Sequence, residues 1–170
     1  MTEEYKYFIF GTELGYVGIL GSAAGLRSTT LPQISERDVS DQLSIREFSA
    51  LSSEYFFGDL IERICGYYRG TQIDFPDKLD FSGATPFQSA VWRATQSIPY
   101  GETRSYGRVA GKIRRPGSYR AVGQALHRNP LPVIVPCHRV VGSDGQLVGF
   151  GGGLDLKHCL LELERQAVSG

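Results

Sequence analysis

Three prolines, Pro130, Pro132 and Pro136, fence the apolar run Leu131–Val135, and Cys137 and His138 follow at once. Proline has no backbone N–H and a fixed φ, so the run is extended or turned and cannot be helical. It looks buried, and it ends on two residues that carry chemistry. The other cysteines, Cys65 and Cys159, lie in amphipathic stretches with no ionisable partner nearby in sequence. They read as packing residues. A chemical reading of this chain is therefore built around Cys137.

The bulk properties set bounds. A chain of 170 residues can hold one large or two small domains with a real core. Charged residues make up 21%, as in ordinary globular proteins. No apolar stretch reaches the roughly 18 residues of a membrane span, and no signal peptide opens the chain. Three widely spaced cysteines make no disulfide framework, so a reduced, intracellular, cytoplasmic protein is expected. Three histidines without paired Cys/His spacing argue against zinc, and neither a metal nor a cofactor is expected.

A net charge of zero conceals an asymmetry. Residues 1–80 carry 7 basic and 13 acidic side chains, a net −6, whereas residues 81–170 carry 11 and 5, a net +6. Between Glu102 and Asp144 there is no acid but eight bases: Arg104, Arg108, Lys112, Arg114, Arg115, Arg120, Arg128 and Arg139. A solvated basic face would look the same. Beside the cysteine segment, the lack of any acid favours a polyanionic partner, nucleic acid.

The first third reads as strands: Tyr5–Phe10 and Tyr16–Leu20 around a Gly11–Gly15 turn, then Leu26–Leu31 after Ala24-Gly25. Pro32–Gln42 reads as loop and Ser44–Gly70 as an interrupted helix. Thr71–Gly83, with Pro76 and two turn signals, reads as a domain boundary or linker. Thr85, Pro86 and Gln88 then spell a capped helix start, with Phe87, Val91 and Ala94 at helical spacing and Trp92 in the core. Ser105–Lys112 and Ser118–His127 read as two short helices joined by Arg114-Arg115-Pro116-Gly117, a helix-turn-helix pattern. The glycine run Gly149–Gly153, with Phe150 inside it, lacks the lysine and hydroxyl of a phosphate loop and suggests a flap or close backbone approach to a ligand. Asp155 is expected to cap a last helix with an apolar stripe of Leu156, Cys159, Leu160 and Leu163.

A nucleophilic cysteine must be a thiolate, yet a free thiol has a pKa of about 8.5. His138 is the obvious helper. On extended backbone adjacent side chains point to opposite faces, so contact with Cys137 needs a turn or a bridging water. The histidine in turn needs an acid, and Asp144, Asp155, Glu162 and Glu164 are candidates that spacing alone does not separate. The bland alternative is an inert buried cysteine beside a satisfied histidine.

Pro136-Cys137-His138-Arg139-Val140, preceded by Asn129-Pro130, resembles the active-site signature of the methylated-DNA–protein-cysteine methyltransferases. Phe87-Gln88-x-x-Val91-Trp92, Ile98-Pro99-Tyr100-Gly101, Ser105-Tyr106, Arg120-Ala121-Val122-Gly123 and Gly152-Gly153-Leu154-x-x-Lys157 occur in the order and spacing of that family. The resemblance covers residues ~81–165; residues 1–80 match only in size and strand-rich start.

The resemblance implies an α/β N-terminal domain over residues 1–80, ribonuclease-H-like and a scaffold. It implies a mostly α-helical C-terminal domain over residues 81–170, with a winged-helix-like helix-turn-helix, for DNA binding and alkyl transfer. It implies a monomer that binds double-stranded DNA in the minor groove, flips an O6-alkylguanine and moves its alkyl group irreversibly to Cys137. Glu164 would orient His138, which would act through a water on Cys137. Tyr106 would protonate guanine N3, and Asn129 would brace the active-site turn. The backbone of Cys137 and Val140 would read the exocyclic amine, with Phe150 and Gly151 lining the pocket. Arg120 would fill the gap in the stack. Ser118, Tyr119, Ala121 and Gly123 would face the groove, and Arg114 and Arg115 would contact phosphates. Phe150 stands where many members have tyrosine, and Tyr119 where a small residue is usual. A non-reactive lesion sensor, a cysteine hydrolase with a Cys-His-Glu triad and a helix-turn-helix regulator are the rivals. Irreversible mass gain on Cys137 separates the first reading from all three.

Overall fold

The computed structural model describes residues 2–170, which form two compact units, one ending at Phe81 and one from Ser82 to Gly170. The first unit is built on a mixed sheet. β1 (Lys6–Thr12) and β2 (Gly15–Ser22) form an antiparallel hairpin closed by the Thr12 hydroxyl donating to the Gly15 carbonyl at 2.7 Å. β3 (Gly25–Thr29) flanks β2, and β4 (Leu51–Ser52) pairs parallel to β1, giving the order β3-β2-β1-β4. From Val17 to Ser22 every residue of β2 is buried, the mark of a central strand covered on both faces.

Helix α1 (Glu36–Gln42) lies where the sequence reads as loop. Its signal is local and polar: Ser35 accepts from the Asp38 amide as N-cap, and Glu36 and Asp38 place negative charge in the first turn. Only Val39 of this helix is buried; it and Leu43 pack so closely on β2 that a Cβ on Gly18 would lie 2.4 Å from Val39 Cγ1. The expected helix from Ser44 is not there. Residues 44–50 form turns, with Ser44 and Ser49 at φ 54° and 48°. After a single 3₁₀ turn at Tyr55–Phe57 comes α2 (Leu60–Tyr68), which buries Leu60, Ile64, Tyr67 and Tyr68.

Thr71–Gly83 contains the division between the two units, but most of it belongs to the first. Its end is laid against β3: the Leu26 amide donates to the Lys78 carbonyl and the Asp80 amide to the Leu26 carbonyl, both at 2.8 Å. Gly25 permits this approach at φ 137°, since a Cβ there would sit 2.7 Å from the Lys78 carbonyl oxygen.

The second unit holds four helices and a small parallel ladder. α3 (Pro86–Gln96) carries the expected capping box, Thr85 and Gln88 each accepting from the other's amide. Trp92 is 4% exposed and donates to the Ala125 carbonyl at 2.8 Å. β5 (Arg104–Ser105) pairs with β6 (Val140–Val141), so the start of α4 (Tyr106–Lys112) lies beside the cysteine segment. α5 (Tyr119–His127) follows after a turn, and α6 (Leu154–Ser169) closes the unit. Gly153, not Asp155, is the N-cap of α6; Asp155 sits in its first turn, where it complements the helix dipole. The expected stripe of α6 is at least partly buried throughout, Leu160 fully and Leu156, Cys159 and Leu163 in part, and two charged residues, Lys157 and Glu164, are buried beside it.

Replacing Gly25 by alanine forces a Cβ onto the Lys78 carbonyl at a φ that side chains avoid. Calorimetry of Gly25→Ala is expected to show the first unit destabilised by about 2 kcal/mol.

Candidate active site

The cysteine segment is a knot of short turns. Asn129 closes it from both ends: its Nδ2 donates to the Val135 carbonyl at 2.8 Å, and its Oδ1 accepts from the Leu131 amide at 2.9 Å. Pro136 adopts φ −79°, ψ 65°, and the Cys137 amide donates to the Val135 carbonyl at 2.7 Å. That is an inverse γ-turn. A single 3₁₀ turn, Cys137–Arg139, follows and takes His138 off the extended path.

Of the four candidate acids, Glu164 meets the histidine. His138 Nε2 lies 2.7 Å from Glu164 Oε1, and both side chains are fully buried. Asp144 accepts from the Gln146 amide, and Glu162 pairs with Arg165. Glu164 also accepts from the Gly101 amide at 3.2 Å, and from Arg139 Nε at 2.9 Å and Nη2 at 2.8 Å. Arg139 reaches the Ile98 carbonyl at 2.8 Å and lies over the Tyr100 ring, 5.4 Å from its centroid. Arg139 is thus buried and paired, and it leaves the set of bases that could face a polyanion. Its neighbours in the acid-free stretch, Arg108, Lys112, Arg114, Arg115, Arg120 and Arg128, are exposed.

These surroundings set the protonation states. Burial works against the Glu164 carboxylate, but hydrogen bonds from His138 and Arg139 override it and pull its pKa to about 2. Burial lowers the His138 pKa, against the opposing pull of Glu164, so the ring is neutral at pH 7. Its Nε2–H then donates to the carboxylate, which leaves Nδ1 as the basic nitrogen. The thiol of Cys137, partly buried, is pushed up by burial and pulled back by Asn129, the charge of Lys157 and backbone amides. The resting state is a neutral thiol near a neutral imidazole that can take its proton.

The opposite wall comes from α4 and α5. The Tyr106 hydroxyl donates to the Val148 carbonyl at 2.7 Å, and burial followed by the charge of Cys137 raises its pKa. A Cβ on Gly123 would lie 3.7 Å from the Tyr106 ring, so α5 approaches that ring closely. Lys157, fully buried, donates to the carbonyls of Val140 (2.7 Å) and Val148 (3.0 Å), and its ammonium stands 5.8 Å from the Tyr106 ring centroid. Val140 is buried, Phe150 partly buried and Gly151 exposed. Ser118 is the N-cap of α5; Tyr119, Arg120 and Ala121 are exposed on its first turn, and the Arg120 guanidinium lies 5.9 Å from the Tyr119 ring centroid. Arg114 and Arg115 sit in the turn between α4 and α5. The sequence reading gave Lys157 no role of its own and counted Arg139 only as a base. The available signal was charge on a helical stripe: Lys157, Leu160 and Glu164 share one face of α6.

Residues 86–166 match the family model described as 6-O-methylguanine DNA methyltransferase, DNA binding domain. The methylated-DNA–protein-cysteine methyltransferase of Mycobacterium leprae is 51% identical over 112 residues, 66% of this chain and 67% of that protein. The protein of the same name from Methanosarcina acetivorans is 40% identical over 159 residues, 93% of this chain and 97% of its own length. Among solved structures, Mycobacterium tuberculosis OGT in complex with DNA superposes with a TM-score of 0.81 at 37% identity, covering 95% of this chain and 94% of that one. The O6-methylguanine-DNA methyltransferase of Pyrococcus kodakaraensis gives 0.62 at 28% identity, covering 94% and 98%.

Acid should dismantle the Glu164 cluster in two steps. His138 is depressed, so below pH ~6.5 the unfolded chain binds the proton that the folded one refuses, and stability falls with pH. Glu164 is depressed from 4.5 to about 2; its contribution, about 3 kcal/mol, is whole above pH ~4.5 and lost as pH falls towards 2. Calorimetry should show both losses in the wild type. Glu164→Gln should lower the midpoint of the second unit at pH 7 and remove the loss between pH 4.5 and 2.

Proposed function

Because the chain belongs to the methylated-DNA–protein-cysteine methyltransferase family, we infer that Cys137 is the residue it alkylates. The chain is an enzyme of DNA repair that transfers an alkyl group directly from DNA to protein, and the transfer consumes it. The observation that carries the Cys137 assignment is the buried 2.7 Å contact between His138 and Glu164 on the turn bearing that cysteine.

The substrate is O6-alkylguanine, flipped from double-stranded DNA held at the minor groove. His138 Nδ1 takes the thiol proton through a water. The sulfur attacks the alkyl carbon, the bond from that carbon to O6 breaks, and its electron pair stays on guanine. The Tyr106 hydroxyl, leaving the Val148 carbonyl, delivers a proton to N3; solvent then returns a proton to the phenolate and takes up the one held by the His138 imidazolium. A thioether forms and no base regenerates it, so turnover stops at one. Asn129 keeps the turn shaped for attack. The backbone carbonyls of Cys137 and Val140 read the exocyclic amine of the guanine, with Phe150 and Gly151 against the base. Arg120 enters the stack, and Ser118, Tyr119, Ala121 and Gly123 face the groove. Residues 1–80 act as a ribonuclease-H-like scaffold, and residues 81–170 bind DNA through a winged-helix-like helix-turn-helix. The protein works as an intracellular monomer. No helix among the described residues is long and apolar enough to cross a membrane.

The exposed arginines support DNA as the partner, and Arg114 supports it most pointedly. It sits just past the end of α4 at φ 59°, its amide bonded to the Gly111 carbonyl and the Arg115 amide to the Ala110 carbonyl. This is the helix-ending motif that glycine normally serves. An arginine in that backbone conformation costs stability that its side chain must repay elsewhere.

Intact-protein and peptide mass spectrometry after incubation with a duplex holding one O6-methylguanine tests the assignment. One methyl should appear on the Cys137 peptide, stop at one equivalent, and vanish in Cys137→Ser. Retained lesion binding without mass gain would instead mark a non-reactive sensor. Arg114→Gly should raise stability by about 1 kcal/mol and reduce the slope of log affinity against log salt by about 1.

A further inference from the structure

Val133 is the residue in the cysteine segment whose backbone breaks the rules. It adopts φ 74° and is 5% exposed. For a β-branched residue this conformation is a genuine outlier, because both γ-methyls crowd the backbone. Such residues persist only where the surroundings overdetermine them, and they cluster at functional sites.

The surroundings here do overdetermine it. Val133 stands at the apex of the turn that the Val135 amide closes onto the Leu131 carbonyl at 2.7 Å. Asn129 clasps that turn from outside, holding the Leu131 amide on one limb and the Val135 carbonyl on the other. The Val135 carbonyl also accepts from the Cys137 amide. One carbonyl therefore links the apex turn, the asparagine and the nucleophile's own backbone.

We propose that Val133 is a positioning residue for alkyl transfer, its left-handed backbone fixing the pitch of Val135 and so the place where Cys137 presents its sulfur. The proposal rests on the reading of Cys137 as the nucleophile. Rotation at the apex tilts the Val135 carbonyl and carries the Cys137 amide with it. Burial raises the thiol's pKa, and Asn129 and the amides of Cys137 and His138 draw it back; all of these are set by this turn. The titratable groups that act on the thiol are Lys157 on α6 and Tyr106 on α4; the next residue, His138, bonds to Glu164 on α6, which Arg139 also holds. A change at Val133 alters none of these side chains directly.

Three variants separate positioning from packing: Val133→Ile, Val133→Ala and Val133→Gly. At an ordinary φ, glycine is less stable than alanine; at φ 74° the order inverts, because only glycine adopts that angle freely. Val133→Gly is therefore expected to melt above Val133→Ala. It should nonetheless transfer methyl about tenfold more slowly than wild type at neutral pH, since a loosened apex misplaces the sulfur. The rise of its rate with pH should also move to higher pH. Val133→Ile, which keeps the branch and the fill, should stay within about twofold of wild type. A pH–rate profile in Val133→Gly that overlays wild type overturns the proposal whatever the melting order. So does a Val133→Ala that melts above Val133→Gly. Failure of the wild-type control to gain a methyl on Cys137 would sink the nucleophile assignment itself, and is seen before any variant is compared.

Discussion

Everything in the second unit that bears on chemistry hangs on the buried carboxylate of Glu164. A lone carboxylate in a protein interior is costly enough that it would neutralise. This one stays charged because it is surrounded: the His138 ring on one side, the Arg139 fork on another, the Gly101 amide on a third. These partners come from two stretches far apart in sequence, the loop after α3 and the 3₁₀ turn after Pro136, and the carboxylate itself comes from a third, the last helix. Removing any partner strands the others, and breaking a buried pair is far costlier than never having made it. The cluster fixes the histidine's tautomer and at the same time ties three parts of the chain together.

The electrostatics divide into two systems that share residue types but not surroundings. Arg139, Lys157 and Glu164 are buried and interact at short range with little screening. Arg108, Lys112, Arg114, Arg115, Arg120 and Arg128 stand in solvent, where charge acts over about a Debye length. Arginine is placed in both sets for different reasons. Inside, its planar fork matches a carboxylate; outside, its charge attracts a polyanion. Arg114, one of the solvent-facing set, occupies a backbone position better suited to glycine.

Much of this was legible in the sequence because the signals are local. The capping box of Thr85 and Gln88, the paired helices around Arg114–Gly117 and the proline-fenced cysteine each depend on neighbours within a few residues. The resemblance to a family singled out Glu164, which spacing alone could not separate from Asp144, Asp155 and Glu162. What was not legible depends on distant contacts. α1 was missed because its apolar face is one buried valine, so periodicity was silent and only the Ser35 cap spoke for it. Residues 44–59 carry apolar residues at nearly helical spacing, but Phe48 and Ile45 pack on the sheet side from turns. Thr71–Gly83 reads as linker by composition, and pairing with Leu26 gives its last residues their place. Arg139 was counted with the solvent-facing bases because nothing local shows that Glu164 awaits it.

The last helix supplies both Lys157, which holds the carbonyls of Val140 and Val148, and Glu164, which holds His138. Both lie well downstream of Cys137. During synthesis the cysteine, its asparagine clasp and its histidine are made before either anchor. Until residues 154–169 are made and docked, His138 has no carboxylate to set its tautomer and Cys137 is an ordinary thiol. The surroundings of the cysteine segment are therefore complete only once the last helix has docked.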